Sequence, residues 1–267
     1  MERLPLTGKN EDILVLDNAL SERFVIDGQN VIKVKTNERS RTDLLILNLK
    51  DNSDLHFEVS DNSYLHVSVL AKNNAKSIKI SANVGQNASF DAYFADFIDG
   101  PCKCDVDVNL NKENASCDWH LASLTENKDN KVFNVSVFHK APHTFAKLDN
   151  YGVARDDGKL TFSGVCHILK GSFGSKAHQN AKVMVFDSLS NGVAKPILKI
   201  DENDIEASHA AIVGKINDEQ IFYLTSRGLS EDEAKRIITL GYLKPILKGF
   251  DDEDMKESIE KMIEGNM

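Results

Sequence analysis

No apolar run in these 267 residues approaches the roughly 18–20 residues needed to span a bilayer. Basic charge is short as well. Lys and Arg number 32 against 41 Asp and Glu, for a formal net charge of −9, and no basic stripe of the kind that binds nucleic acid is visible. Neither a membrane nor a nucleic acid is therefore expected as a partner. The opening run, MERLPLTGKNEDILVL, lacks the basic-then-apolar layout of a secretory signal. Four cysteines without such a signal argue for reduced thiols and a cytoplasmic location. The sequons at Asn87, Asn114 and Asn134 then carry no glycosylation meaning. Catalytic signatures are missing too: there is no nucleophile–base pairing, no H-E-x-x-H spacing and no phosphate-cradling loop. Gly171 to Lys176 (GSFGSK) ends in Ser-Lys but lacks the Walker order, so it is read as a turn. The chain is expected not to be an enzyme.

What is present is alternation. Residues 44–49, 55–59, 65–69, 77–80 and 104–108 read as short strands bounded by Asn, Asp, Ser or Gly. Helical period is nearly absent before Ser230. DNSDLHFEVS at Asp51 returns ten residues later as DNSYLHVSVL, and NASFD at Asn87 returns as NASCD at Asn114. Such self-similarity points to a stacked β-solenoid, in which each coil buries its apolar face only against its neighbours. It disfavours a sandwich, which would show more two-residue hairpin turns than the single Asn191-Gly192.

The last segment changes character. Ser230 to Glu233 reads as a capping box with Leu229 as staple. Ala234, Ile237, Ile238 and Tyr242 share one helical face, and Pro245 cannot sit in the helix interior. A second helix is expected from Asp251 or Asp252, with Met255, Ile259, Met262 and Ile263 as its stripe. The expected division is a solenoid core over 1–228 and a helical region over 229–267.

Candidate ligands are weighed by parity. Cys102 and Cys104 share a face with Val106, Val108 and Leu110, Cys117 with Trp119 and Leu121, and Cys166 with Ile168, so all four read as core residues. His56 and His66 read as a repeated outer position stacked on successive coils, and His139 and His143 as loop residues around Pro142. His209 shares a face with Ile205 and Ala207.

From Ile205 to Gly228 the order of residues resembles the C-terminal signature of the SufB/SufD family of iron–sulfur cluster assembly scaffolds. The matching positions are His209, Ala211, Asp218 (one position loose), Gln220, Phe222, Tyr223, Arg227 and Gly228, with Ile221 to Leu224 read as an aromatic strand. The resemblance implies a right-handed parallel β-helix, mainly β, with a short C-terminal helical region. It also implies that family members carry an N-terminal helical domain for which strand-like pattern from Ile13 leaves no room. Where the SufB branch has Cys and then Glu, this chain has Asn180 and Ala210, which makes it SufD-like. Implied partners are a SufB-like paralogue and a SufC-like ABC ATPase docked on Ile237, Ile238, Tyr242, Met255, Ile259 and Met262. His209 is the implied metal ligand at the subunit interface, where a transient iron–sulfur cluster or iron is held. No cofactor is expected to bind stably to the chain alone. Two alternatives stand: a homodimeric scaffold of a minimal system, and a carbohydrate-active β-helix enzyme using Asp105, Asp107, Glu113 and Asp118.

Overall fold

The computed structural model describes residues 2–3, 14–16, 22–72 and 75–265. Leu4 to Ile13, where the alternating pattern starts, and Met267 lie outside the described residues. Numbered along the chain, the strands alternate between two parallel sheets. The first sheet holds β1 (Glu2–Arg3), β3 (Glu22–Asp27), β5 (Arg41–Leu47), β7 (Tyr64–Ala71), β9 (Ser89–Asp96), β11 (Ser116–Thr125), β13 (Phe145–Ala154), β15 (Ser175–Val185) and β17 (Ile205–Lys215). The second holds β2 (Leu14–Leu16), β4 (Val31–Thr36), β6 (Ser53–Val59), β8 (Ser77–Val84), β10 (Cys102–Leu110), β12 (Asn130–His139), β14 (Lys159–Ile168) and β16 (Asn191–Ile200). Among the described residues consecutive strands never pair; each pairs with the second strand along. This is a parallel β-solenoid, as the sequence led us to expect; it has two strands per coil.

Alternation makes the core. In β12 and β14 every second side chain is buried, and the inward residues of successive coils stack: Phe57 on Phe90, Phe94 on Trp119, and Phe133 on Phe162 with ring centroids 5.4, 6.1 and 5.8 Å apart. Coils lengthen along the chain. Strands of the first sheet grow from 6 residues in β3 to 8 in β7, 10 in β11 and 11 in β15, so the stack widens towards its C-terminal end.

This growth corrects the reading of the repeat. The two DNS motifs are consecutive turns, one before β6 and one before β7, so ten residues span half a coil. His56 and His66 consequently lie on different sheets and are not stacked. His66 has Asp91 as its register partner one coil on, and His56 has Ser81. Asn87 and Asn114, by contrast, are true coil repeats. The turn before the first-sheet strands places Asn62, Asn87, Asn114, His143 and Gly174 in one column, each with φ between 50° and 68°. Asparagine tolerates that left-handed conformation, and its side chains ladder: Asn114 Nδ2 donates to Asn87 Oδ1 (3.0 Å) and Asn87 Nδ2 to Asn62 Oδ1 (3.1 Å). At Gly174 any Cβ would also run into the His143 ring.

The strands end at Lys215, and helices follow sooner than expected. Ile221 to Leu224 is not a strand but lies in α1 (Asp218–Thr225). Asn217 caps it, its Oδ1 accepting the Glu219 N–H at 2.8 Å, and Asp218 and Glu219 suit the positive helix end. Asn217 followed three residues later by Gln220 is itself a helix-start signal. Next come α2 (Glu231–Leu243), a 3-10 turn (Lys244–Gly249) containing Pro245, and α3 (Glu253–Gly265). The capping box at Ser230 is formed as read from the sequence.

These helices run back along the outer face of the first sheet. Leu243, Ile246, Leu247, Phe250, Ile259 and Ile263 form a second apolar layer with Val25, Leu45, Leu70, Ala95, Ala122 and Val153 of the sheet. At about 25 cal/mol per Å² of apolar area, such a layer binds the C-terminal segment firmly to its own solenoid. No helix among the described residues is long and apolar enough to cross a membrane.

Candidate functional site

The stack has an open end. Each coil is covered by the next until β16 and β17, beyond which no strand pairs among the described residues. Residues that would be buried one coil earlier are exposed there: Val213 is register partner to buried Val183 yet 47% exposed, and Ile200 is partner to buried Ile168 yet 42% exposed. An edge of this length leaves a row of unpaired backbone groups and apolar side chains.

His209 stands on this edge. It is exposed and lies opposite Gln179 on the inward side, where Ile205 and Ala207 pack on the core. Gln179 is buried and reaches across the interior, its Nε2 donating to the Ile197 carbonyl at 2.9 Å. Asn180 and Ala210 are register partners and point outward beside it. The sequence does not show that these two positions touch; β16 intervenes in the chain, but β15 and β17 are neighbours in the sheet.

The cysteines are inward and buried, as parity implies. Burial pushes the Cys102 and Cys166 thiols up to about 12 and raises Cys104 and Cys117 well above their usual range. They are therefore thiols and not thiolates, the form that binds metal. His139 and His143 do not converge. His139 is buried at the end of β12, its Nδ1 bonded to Thr144 Oγ1 at 2.8 Å, and burial brings its pKa down to about 4. His143 packs edge-on against Phe173.

The helical docking stripe is redistributed. Ile259 is fully buried against the sheet, and Tyr242, Met255 and Met262 pack on that same layer, so they face the chain's own solenoid. Ile237, expected on the buried face with Ala234, is 50% exposed, whereas Thr239 is buried. Ile238 lines a shallow groove with Tyr223 and Leu224 of α1. Phe222 at 74%, Tyr223 at 54% and Ile237 are the apolar side chains that α1 and α2 leave in solvent.

The carboxylates considered for sugar chemistry are divided. Asp105 and Asp107 sit on the second sheet and Asp118 on the first, and Asp105 is engaged by Lys103 (2.7 Å) and Asn134 (2.7 Å). Asp107 shares the outer face of β10 with Asp105, two residues on, and Lys103 already holds Asp105 in an ion pair.

A polar row on the outer face of the first sheet escaped the sequence reading. Asp43, His66, Asp91, Asp118, Lys147, His178 and Ser208 are successive register partners. Ordered coil by coil, they would have been visible; at spacings of 23 to 31 residues that change with every coil, they are not. His66 Nδ1 meets Asp91 Oδ2 at 3.0 Å and its Nε2 meets the Gly249 carbonyl at 2.8 Å. Burial alone would lower its pKa, but these two bonds together with the negative charges of Asp91 and Asp43 outweigh it, and the net shift is upward. His66 thus ties the 3-10 turn to the sheet.

Comparison with known proteins agrees with this architecture. The family description "SUF system FeS cluster assembly, SufBD core domain" matches residues 13–242. The iron–sulfur cluster assembly protein SufD of Bacillus subtilis is 29% identical over 166 residues, which is 62% of this chain and 38% of that protein. A SufBD-family cluster assembly protein of Mycobacterium bovis is 33% identical over 132 residues, 48% of this chain and 16% of its own. One from Staphylococcus saprophyticus is 30% identical over 134 residues, 49% and 29% of the two chains. The chain spans well under half the length of these curated relatives.

Proposed function

The chain belongs to the SufBD core family of iron–sulfur cluster assembly proteins, and from that premise we propose that it is a SufD-like subunit without turnover of its own. It pairs through its terminal coil with a SufB-like scaffold and docks a SufC-like ABC ATPase on its C-terminal helices. The observation that carries this reading is the neighbouring pair Asn180 and Ala210 beside exposed His209. They occupy the positions where the scaffold branch has Cys and Glu. Clusters are held chiefly by thiolates, and this chain's four thiols are buried. One imidazole can complete a site shared with a thiolate-bearing partner but cannot build one. A cluster or iron is then held transiently at the interface and not on the isolated chain.

The exposed row on β16 and β17 supports pairing, because a partner's coil would cover its apolar side chains and edge together. For the ATPase, the reading shifts from Met255, Ile259 and Met262 to Phe222, Tyr223 and Ile237, the residues in solvent. Co-purification with a SufB-like paralogue and a SufC-like ATPase from the same source tests both contacts. Val213→Asp is expected to release the paralogue and keep the ATPase; Ile237→Asp is expected to do the reverse. His209→Ala should keep both complexes and impair cluster assembly in cells. A stoichiometric, cysteine-ligated cluster on the isolated chain after anaerobic reconstitution would overturn the reading. A chain that is dimeric alone, and monomeric as Val213→Asp, would favour the homodimeric scaffold instead.

A further inference from the structure

Three polar atoms on the outer face of the first sheet converge with no hydrogen-bond partner. Asp91 on β9 and Asp118 on β11 are register partners, so two carboxylates stand side by side on adjacent strands. His120 lies two residues beyond Asp118 on the same face. Ligand atoms of the three residues all lie within 4.8 Å of one another. Asp91 Oδ1, Asp118 Oδ1 and His120 Nε2 are each buried and hydrogen-bonded to nothing. Although His120 Nε2 is 2.9 Å from Asp118 Oδ1, the two are not aligned as a hydrogen bond.

Two carboxylate oxygens that have given up water repel each other, and each lacks a donor. Neighbouring basic groups bond to other oxygens: Lys147, register partner of Asp118, gives its ammonium to Asp149 at 2.7 Å, and His66 bonds to Oδ2 of Asp91 and not to Oδ1. Meanwhile the rest of Asp91 and the ring of His120 are held. Asp91 Oδ2 accepts from the Tyr64 hydroxyl (2.7 Å) and pairs with His66 Nδ1 (3.0 Å). The His120 ring stacks on Tyr93 with centroids 4.3 Å apart and planes at 16°. Its Nδ1 faces Asp149 Oδ2 at 3.7 Å. That distance is too long for a hydrogen bond, and Nε2, turned towards the two carboxylates, is the ring nitrogen placed to meet an ion between them.

We propose that Asp91, Asp118 and His120 bind one divalent first-row transition-metal ion, with Tyr93 holding the imidazole by stacking and Tyr64 and His66 fixing Asp91. Oxygen and nitrogen ligands about 2.0–2.2 Å from such an ion stand roughly 3–4.3 Å apart, so the observed spread closes with a small side-chain movement. Two carboxylates with one imidazole suit Fe(II), Mn(II) or Zn(II) better than the all-oxygen preference of Ca(II) or Mg(II). Asp118, 38% exposed, gives the ion access to solvent and leaves positions for water. The site is independent of the cluster-assembly reading and distant in sequence from His209.

The full chain, stripped with a chelator and titrated with Mn(II), should bind one ion, seen as loss of the free-ion electron paramagnetic resonance signal. Pulsed resonance of the bound ion should show nitrogen coupling from one imidazole. Asp118→Asn and His120→Gln should each weaken binding at least about ten-fold, with His120→Gln abolishing the nitrogen coupling. His178→Gln, on the same face but outside the set, should bind as the unaltered chain does. No binding at millimolar Mn(II), binding without nitrogen coupling, or binding indifferent to both substitutions overturns the proposal. The nitrogen coupling is read on the unaltered chain, so it decides even where a variant fails to fold.

Discussion

Inside the solenoid a lysine and an aspartate are sealed together. Lys131 on β12 and Asp96 at the end of β9 are both 0% exposed, with Nζ and Oδ2 3.0 Å apart. The group is well satisfied: Lys131 Nζ also donates to the Leu124 carbonyl at 2.7 Å, and Ser123 Oγ donates to Asp96 Oδ2 at 2.6 Å. Lys131→Met removes the cation and leaves Asp96 buried beside Cys102, the register partner of Lys131. Breaking a buried pair from one side costs about 3–5 kcal/mol, because the remaining charge is uncompensated. For a chain of this size that is a fall of about 6–20 °C in melting temperature. Asp96→Asn should cost a similar amount by stranding the lysine. The double variant buries no charge, so the two losses should not add, and a coupling of at least about 2 kcal/mol is expected. Trp119, the single tryptophan and 1% exposed in the core, reports unfolding by fluorescence in a urea series. Single variants that each lose under about 1 kcal/mol, with losses that add in the double, would show that the pair does not act as a buried ion pair and would refute the reasoning.

Two further outcomes are expected. Ile259→Ala should lose about 2–5 kcal/mol because the side chain is fully buried between α3 and the first sheet, whereas Ile237→Ala, half-exposed, should stay within about 0.5 kcal/mol; thermal melts of the two variants decide this. His139 has a folded pKa of about 4, below its unfolded value of 6.5, so between those values the unfolded chain binds the extra proton. Stability should therefore be intact above pH 6.5 and fall as the pH drops towards 4, by about 3 kcal/mol in all. His139→Asn, which keeps a group at the Nδ1 position, should flatten that part of a pH series of denaturation midpoints.

Much of the site's ingredients can be read locally. Parity along a strand is a property of neighbouring residues, so the inward cysteines, the alternating core of β10 and β14, and the outward Asn180 follow from the sequence alone. The capping box at Ser230 and the helix end before Pro245 are equally local. The α1 start at Asn217 was legible in principle, but the run Ile221 to Leu224 reads as apolar and aromatic, and short apolar runs do not separate strand from helix by period.

What the chain could not announce is register. Two strands make a coil, and coil length changes from one turn of the stack to the next, so a ten-residue similarity marks half a coil and no constant spacing reveals the neighbours across it. His56 and His66 look stacked and lie on opposite sheets; Asp91, Asp118 and His120 look unrelated and converge. The stripe on α3 is evident as a stripe, but the surface it covers is decided by where the chain turns back over the first sheet. Ile259 is therefore buried in its own protein while Phe222 and Ile237 remain in solvent. Local preference determines which side of each strand is apolar; only the stacking of coils of unequal length determines which polar residues meet on the other side, because that meeting is set by turns lying a whole coil apart.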